Sequence, residues 1–150
     1  IELNLLGMLH VSQAANAVMQ RQDQGGSIIS ISSVSGRRPS PGTAAYGAAK
    51  AGVDSLTATL AVEWAPKVRV NAVVVGMVAT EQAELFYGNS ESQAAVAQTI
   101  PLGRLAQPSE IGWAAAFLAS DAASYISGAT LAVHGGGEPP PFLSASSANK

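Results

Sequence analysis

The sequence predicts an α/β fold in which an open, twisted parallel sheet carries helices on both faces. Two observations support this prediction. Short β-branched runs alternate with longer helical patterns, and this alternation implies parallel strands that are joined by right-handed crossovers. The run VRVNAVVV at residues 68–75 is almost continuously apolar at its end, which is typical of a strand covered on both faces. We therefore expect this strand to be central in the sheet.

The first elements follow from local composition. Residues 1–22 are rich in helix formers and have almost no polar face in the first turns, so we expect this helix start to be buried. The glycines Gly25 and Gly26 end the helix. The β-branched run at residues 27–32 then predicts a buried strand, and the Gly-, Pro- and Ser-rich residues 33–43 predict a loop.

The later elements have similar signals. Pro66 ends a helix whose apolar residues recur at helical spacing, and Pro108 with Glu110 suits the opening of another helix. Beyond residue 43 the predicted elements are a helix over 44–64, a strand over 68–75, a helix over about 81–98 if Gly88-Asn89 merely interrupts it, a helix from 108 to about 120, and a strand over 130–134.

Chain length and the positions of proline predict the domain organisation. A chain of 150 residues with 47% hydrophobic content suits one domain with a real core. We expect this domain to span residues 1–136, and we expect residues 137–150, which include three consecutive prolines, to form an extended or disordered tail. The chain opens at Ile1 inside a helical pattern and without an initiator Met, so it is expected to be the latter part of a longer protein.

Composition excludes several classes of function. Eight basic against ten acidic residues, with no basic run, argue against nucleic acid and anionic membranes as partners. No apolar run reaches the roughly 18 residues of a membrane span, so the chain is expected to be soluble. The lack of cysteine excludes disulfides and thiol chemistry and fits a reducing compartment, which makes the cytoplasm the expected location. The two histidines have no second ligand at metal spacing, so no metal site is predicted.

A serine, a tyrosine and a lysine form the candidate site. Tyr46 and Lys50 stand four residues apart on the helix predicted over 44–64, which places both side chains on one face. A tyrosine hydroxyl has a pKa of about 10, and an ammonium about 4 Å away can supply the roughly 4 kcal/mol that proton exchange near neutrality requires. Ser33 lies near the carboxyl end of the first strand, where parallel sheets bind ligands. Taken alone, the Tyr–Lys pair would more often be an ordinary surface pair, and Ser33 could be a turn former.

Several motifs occur in a fixed order along the chain, and together they carry a resemblance. They are IELNL at the start, ISISSVSG, YGAAKAGV, VRVNAVVVGMVAT, PLGRLAQPSEI and AAFLASDAASYISGATLAVHGG, which ends at Gly136. In this order they resemble the later half of a short-chain dehydrogenase/reductase, and they are similar to 3-oxoacyl-carrier-protein reductases. The resemblance implies a Rossmann-type doubly wound sheet whose N-terminal half is absent from this chain, and an oxidoreductase that uses NAD or NADP.

The resemblance also implies roles for the catalytic residues. Tyr46 would be the general acid or base that exchanges a proton with the substrate oxygen, and Ser33 would hold that oxygen. Lys50 would lower the tyrosine pKa and hydrogen-bond the nicotinamide ribose. Asn4 would anchor a water in the proton relay behind Lys50.

Cofactor contacts follow from the same resemblance. Besides Tyr46 and Lys50, they would come from Gly76, from the backbone of Val78 and from Thr80, although Thr80 could simply cap the next helix. Val75-Gly76 stands where the family usually has Pro-Gly, so this loop lacks a φ restraint.

The implied activity is the interconversion of a ketone and a secondary alcohol on a small-molecule substrate, in a homo-oligomer that is a dimer or, most often, a tetramer. The alternative is a truncated, non-catalytic remnant that acts only as an assembly module. The substrate and the choice between NAD and NADP depend on residues that the motifs do not include.

Overall fold

The structure is a computed structural model, and it describes residues 1–147. A short π-helical segment precedes the first α-helix. The elements are the π-helical segment Glu2–Leu6, α1 (Gly7–Met19), β1 (Gly26–Ser33), α2 (Ala44–Glu63), β2 (Val68–Val75), α3 (Ala83–Tyr87), α4 (Ser90–Gln98), α5 (Pro108–Ala119), β3 (Thr130–Val133) and α6 (Phe142–Ala145). Single 3-10 turns follow β1 and α5, at Val34–Gly36 and Asp121–Ala123.

The three strands form one parallel sheet in the order β1-β2-β3. Gly26 of β1 aligns with Val68, and the register continues to the pair Ser33 and Val75. The sheet therefore confirms that β2 is central and that the strands are parallel. Because the connections are crossovers, the carboxyl ends of the strands lie at one edge of the sheet.

Helices cover both faces of β2. On one face, Val68 and Val70 pack with Leu60 and Trp64 of α2, and side chains of α1 complete this cluster. On the other face, the Arg69 guanidinium donates hydrogen bonds to the carbonyls at the end of α5, among them that of Leu118 at 2.8 Å. Six of the eight residues of β2 are buried, as the predicted coverage of both faces requires.

The prediction that the first helical turns are buried is wrong. Leu3 is 85% exposed, and Ile1, Leu6 and Val11 are exposed as well. The π-helical segment packs against α2 on one side. The helix that continues it, α1, packs against β1. No element within residues 1–147 covers the opposite face of the π-helical segment, so the apolar character of that face does not produce burial.

The predicted helix over 81–98 is two helices. Gly88 adopts φ +79°, which L-residues other than glycine rarely adopt, and this ends α3. Asn89 then accepts a hydrogen bond from the Ser92 amide at 3.0 Å and caps α4. Gly88 and Asn89 thus end one helix and begin another, rather than interrupting a single helix.

Beyond β3 the chain turns through Gly135, Gly136 and Gly137, all at positive φ, and then forms the short helix α6. The boundary predicted at residue 136 stays a prediction, and residues 148–150 of the predicted tail lie outside the described part of the chain. None of the helices between residues 1 and 147 combines the length and apolar character of a membrane span.

Candidate active site

The candidate site lies where β1 and β2 end. Ser33 is the last residue of β1 and is buried, and its register partner Val75 is the last residue of β2. Gly76 follows directly. Parallel strands end at one edge, so the two strands present Ser33 and Gly76 side by side, where ligands bind in such sheets.

A cleft of about 600 Å³ opens at this edge. Ser33 and Gly76 line it together with Tyr46 of α2, and the aromatic residues Phe86 and Tyr87 of α3 form part of its wall. Its volume is in the range of small-molecule sites. The structure therefore brings three of the predicted site residues into one cleft. Leu85, which precedes Phe86 on α3, does not line the cleft and is exposed.

Tyr46 and Lys50 face each other as their spacing predicts. The Lys50 ammonium lies 5.5 Å from the centroid of the Tyr46 ring. Lys50 Nζ also donates a hydrogen bond to the Ile31 carbonyl of β1 at 2.7 Å. Partial burial lowers the pKa of the Lys50 ammonium, because desolvation disfavours its charged form. Tyr46 is 38% exposed and opens into the cleft, where a substrate could reach its hydroxyl.

A side-chain hydrogen bond and a close backbone approach hold α2 against the end of β1 and the turn after it. The Ser32 hydroxyl donates to the Lys50 carbonyl at 3.2 Å, and a Cβ built on Gly36 would lie 2.6 Å from the amide nitrogen of Ala51. Only glycine permits so close an approach of the turn to the helix. The Ser33 side chain is also held in place, since its hydroxyl accepts a hydrogen bond from the Ser35 amide at 3.2 Å. Ser33, Tyr46 and Lys50 therefore share one rigid frame.

Asn4 lies on the other side of Lys50. It is half-buried in the π-helical segment, and it lines with Lys50 a groove of about 480 Å³ that runs beside β1. Lys50 lines this groove and not the cleft that holds Ser33 and Tyr46, although its ammonium lies 5.5 Å from the Tyr46 ring centroid. That arrangement suits the predicted relay, in which Asn4 acts behind Lys50 rather than on the substrate.

The residues predicted to contact the cofactor lie in the loop after β2. A Cβ on Gly76 would lie 2.8 Å from the Cα of His134, so glycine is required here for packing against β3. Val78 forms an isolated parallel bridge with Ala106, and its carbonyl accepts from the Thr80 amide at 3.0 Å. The Val78 N–H donates to no other residue within 1–147. Val78 and Thr80 do not line the cleft, and Thr80 is exposed.

Sequence reasoning missed Arg38, which also lines the cleft. Its Nε lies 2.7 Å from a carboxylate oxygen of Glu138, a residue 100 positions later in the chain. A usable signal was present, because Arg38 is a charged residue in the loop that joins Ser33 to Tyr46. Within the described residues no group of three or more histidine, aspartate or glutamate side chains could hold a metal ion.

Known proteins of one family are similar to this chain over most of its length. The matching family model is described as enoyl-(acyl carrier protein) reductase, and it covers residues 1–138. A 3-oxoacyl-[acyl-carrier-protein] reductase from Synechocystis sp. is 45% identical over 138 residues, which are 91% of this chain and 53% of that protein. An uncharacterized oxidoreductase from Mycobacterium tuberculosis is 42% identical over 132 residues, 87% of this chain and 50% of that protein.

The fold is similar to that of solved structures. A crystal structure of a short-chain dehydrogenase/reductase, SDR:Glucose/ribitol dehydrogenase, from Brucella melitensis matches with a TM-score of 0.80 and 36% identity, over 91% of this chain and 54% of that one. The chain thus spans about half the length of the curated relatives it matches. Family model, relatives and fold agree that the chain belongs to the short-chain dehydrogenase/reductase family and corresponds to the C-terminal part of its members.

Proposed function

We propose that the protein containing this chain is an NAD- or NADP-dependent oxidoreductase that interconverts a ketone and a secondary alcohol, with Tyr46 as the general acid/base. The observation that carries this proposal is the shared frame of Ser33, Tyr46 and Lys50 at the edge of the sheet. Family membership supports the reaction class, because the relative from Synechocystis is named as a reductase.

Ser33 and Tyr46 act on the substrate oxygen. Both line the cleft, and both carry a hydroxyl that can donate a hydrogen bond to a carbonyl oxygen. In the direction of reduction, the Tyr46 hydroxyl gives its proton to the oxygen as negative charge develops there. Ser33 keeps that oxygen in place, and its position is fixed because it ends a strand of the sheet.

Lys50 supports the proton transfer. An ammonium 5.5 Å from the Tyr46 ring centroid supplies positive charge beside the ring from which the proton leaves. The hydrogen bond from Nζ to the Ile31 carbonyl holds the side chain in that position. Asn4, which lines the same groove as Lys50, would hold the water through which the proton is replaced.

The residues present fit a nicotinamide cofactor. When bound, this cofactor supplies or accepts the hydride at the carbonyl carbon. The Lys50 ammonium is a suitable donor to ribose hydroxyls, and the Val78 N–H, which has no partner within 1–147, is a suitable donor to a carboxamide. Gly76 and Thr80 begin and end the short backbone segment that presents this N–H.

The variant Tyr46→Phe tests the proposal. In the intact protein it should lower kcat for ketone reduction at least about 100-fold, because general acid catalysis contributes factors of that order or more. Binding of NADH or NADPH, followed by nicotinamide fluorescence, should change little. Tyr125→Phe is the matched control, since it removes the same hydroxyl from a fully exposed side chain. Retained turnover in Tyr46→Phe would defeat the assignment.

A second variant addresses Lys50. Lys50→Ala should weaken both turnover and dinucleotide binding. Lys67→Ala is its control, because Lys67 Nζ also donates to a backbone carbonyl, that of Gln22 at 2.9 Å, but lines neither the groove nor the cleft. If neither NADH nor NADPH binds the intact protein, the alternative of a non-catalytic assembly module is favoured instead.

The proposal includes a homo-oligomer in the cytoplasm. Trp113 and Phe117 stand one turn apart on α5 and are both exposed, and an apolar pair of this kind supports association between subunits. The lack of cysteine is compatible with a reducing compartment. The mass in solution, measured by light scattering, tests the oligomer.

A further inference from the structure

A single charged side chain lines the candidate cleft. The other lining side chains in the described chain are hydroxyl-bearing or apolar, and only Arg38 carries a formal charge at neutral pH. Arg38 lies in the loop between Ser33 and Tyr46, so the charge belongs to the same wall as the proposed catalytic groups. A cation at this point favours a ligand that carries a negative charge.

The contacts of Arg38 leave it able to bind an anion. Nη1 donates a hydrogen bond to the Pro39 carbonyl at 3.0 Å, and Nε faces Glu138. Nη2 has no hydrogen-bond partner within residues 1–147. A guanidinium can offer N–H groups to a carboxylate or phosphate, so Arg38, whose side chain lines the cleft, keeps Nη2 available for an anion.

Glu138 reaches Arg38 from the far end of the chain. It follows three glycines at positive φ, Gly135 to Gly137, which come directly after His134. Gly137 and Glu138 line a small cavity together with Gly76 and Met77, two residues that also line the cleft. The acidic side chain therefore stands at the border of the site, where it neutralises the one charge of the cleft.

The ion pair is accessible to solvent on both sides. The Arg38 and Glu138 side chains are 37% and 35% exposed. Pairs of this kind contribute little to stability, because water and salt screen them. Exchange of the Glu138 carboxylate for the anionic group of a ligand therefore costs little free energy.

We propose that the carbonyl substrate carries an anionic group, a carboxylate or a phosphate, which binds Arg38, and that Glu138 occupies this position until the substrate displaces it. The inference rests on the proposed function, because it assigns one end of the substrate to Tyr46 and the other to Arg38. Arg38 is then a specificity-determining residue, and Glu138 is an internal competitor that sets the affinity.

The test compares keto acids with their methyl esters in the intact protein. The probes are 4-oxopentanoate and 6-oxoheptanoate, each against its ester. Arg38→Gln should lower kcat/KM for the acids about 10- to 100-fold, the range for hydrogen bonds to charged groups, and leave the esters within about 2-fold. Glu138→Gln should raise kcat/KM for the acids about 2- to 5-fold, as loss of a surface ion pair predicts. Arg21→Gln, which removes the same charge from an exposed turn, should change kcat/KM for neither the acids nor the esters.

A binding measurement keeps the test independent of turnover. In protein labelled with 15N-arginine, the acids should shift the Arg38 Nε resonance with a saturable curve, more tightly in Glu138→Gln, whereas the esters should not. The same titration with inorganic phosphate shows whether Arg38 binds a phosphate or a carboxylate more tightly. The inference is overturned if the Arg38 resonance shifts with neither anion, or if Arg38→Gln lowers kcat/KM equally for acids and esters. An Arg38 response without turnover of any ketone overturns the proposed reaction and leaves the anion site standing.

Discussion

Replacement of Gly36 by alanine should disturb both the fold and the site. Gly36 ends the 3-10 turn after Ser33, and this turn packs on α2 between Tyr46 and the middle of the helix. A Cβ at this position would lie 2.6 Å from the Ala51 nitrogen and 2.8 Å from the Lys50 carbonyl carbon. Both are backbone atoms of a helix, so no side-chain rotation relieves the contact.

The size of the effect follows from these distances. Ordinary contacts of a Cβ begin at 3.4 Å, so the turn and the helix must separate by roughly 0.8 Å, the difference between 3.4 and 2.6 Å. Overpacking of this kind typically destabilises a protein by about 1–3 kcal/mol. A displacement near 1 Å between catalytic groups lowers rates by about 100-fold. Gly36→Ala should therefore lower both the free energy of unfolding and kcat.

Urea denaturation and steady-state kinetics measure the two effects. Gly112→Ala is the matched control, because Gly112 lies within α5 and its new methyl group would meet no atom within 4 Å. That variant should be more stable than the wild type by about 0.5–1 kcal/mol, since alanine is the better helix former. If Gly36→Ala unfolds within about 0.5 kcal/mol of the wild type and retains its turnover, the close contact between the turn and α2 does not position the site.

Two further predictions concern polar groups away from the cleft. Asn71 is fully buried, and its side-chain amide bonds two backbone groups of the connection between β2 and β3, at 2.9 and 3.0 Å. Asn71→Leu should lower the free energy of unfolding by about 2–4 kcal/mol, because both groups lose their partner, and a urea midpoint near that of the wild type would contradict this. Hydrogen bonding to Arg104 holds the pKa of Glu110 at about 2, below its ordinary value of 4.5, so its stabilising effect is complete above pH 4.5 and is lost as the pH falls through about 2. The stability difference between wild type and Glu110→Gln should shrink across that interval, and a constant difference would show that Glu110 does not titrate there.

Local signals were sufficient for most of the fold. The strand over 68–75 and the start of the helix at residue 44 coincide with β2 and α2, because apolar periodicity and proline act on neighbouring residues. The exposure of Leu3 was not predictable in this way. Periodicity shows that a face is apolar, but burial also needs a partner, and partners are set by contacts far apart in sequence.

The same limit applies to the site. Tyr46 and Lys50 are related by helix geometry, and Ser33 is related to them by the edge of the sheet, so sequence patterns could predict that they meet. The pair Arg38 and Glu138 joins residues 100 positions apart through a glycine turn. No local pattern encodes such a contact, and the turn itself packs on distant residues, since a Cβ on Gly135 or Gly136 would meet Ile100 or Pro101.

The two walls of the cleft differ in how firmly they are held. Ser33, Tyr46 and Lys50 belong to the sheet and to a helix that is bonded to it through the Ile31 and Lys50 carbonyls. The opposite wall contains Phe86, which is 73% exposed on the five-residue helix α3. Substitutions on α3 can therefore change the shape of the cleft at little cost in stability, because they remove few buried contacts. The apolar wall can thus change through α3 while Ser33, Tyr46 and Lys50 keep their geometry, and the proposed anion contact at Arg38 stays with the wall that holds Ser33 and Tyr46.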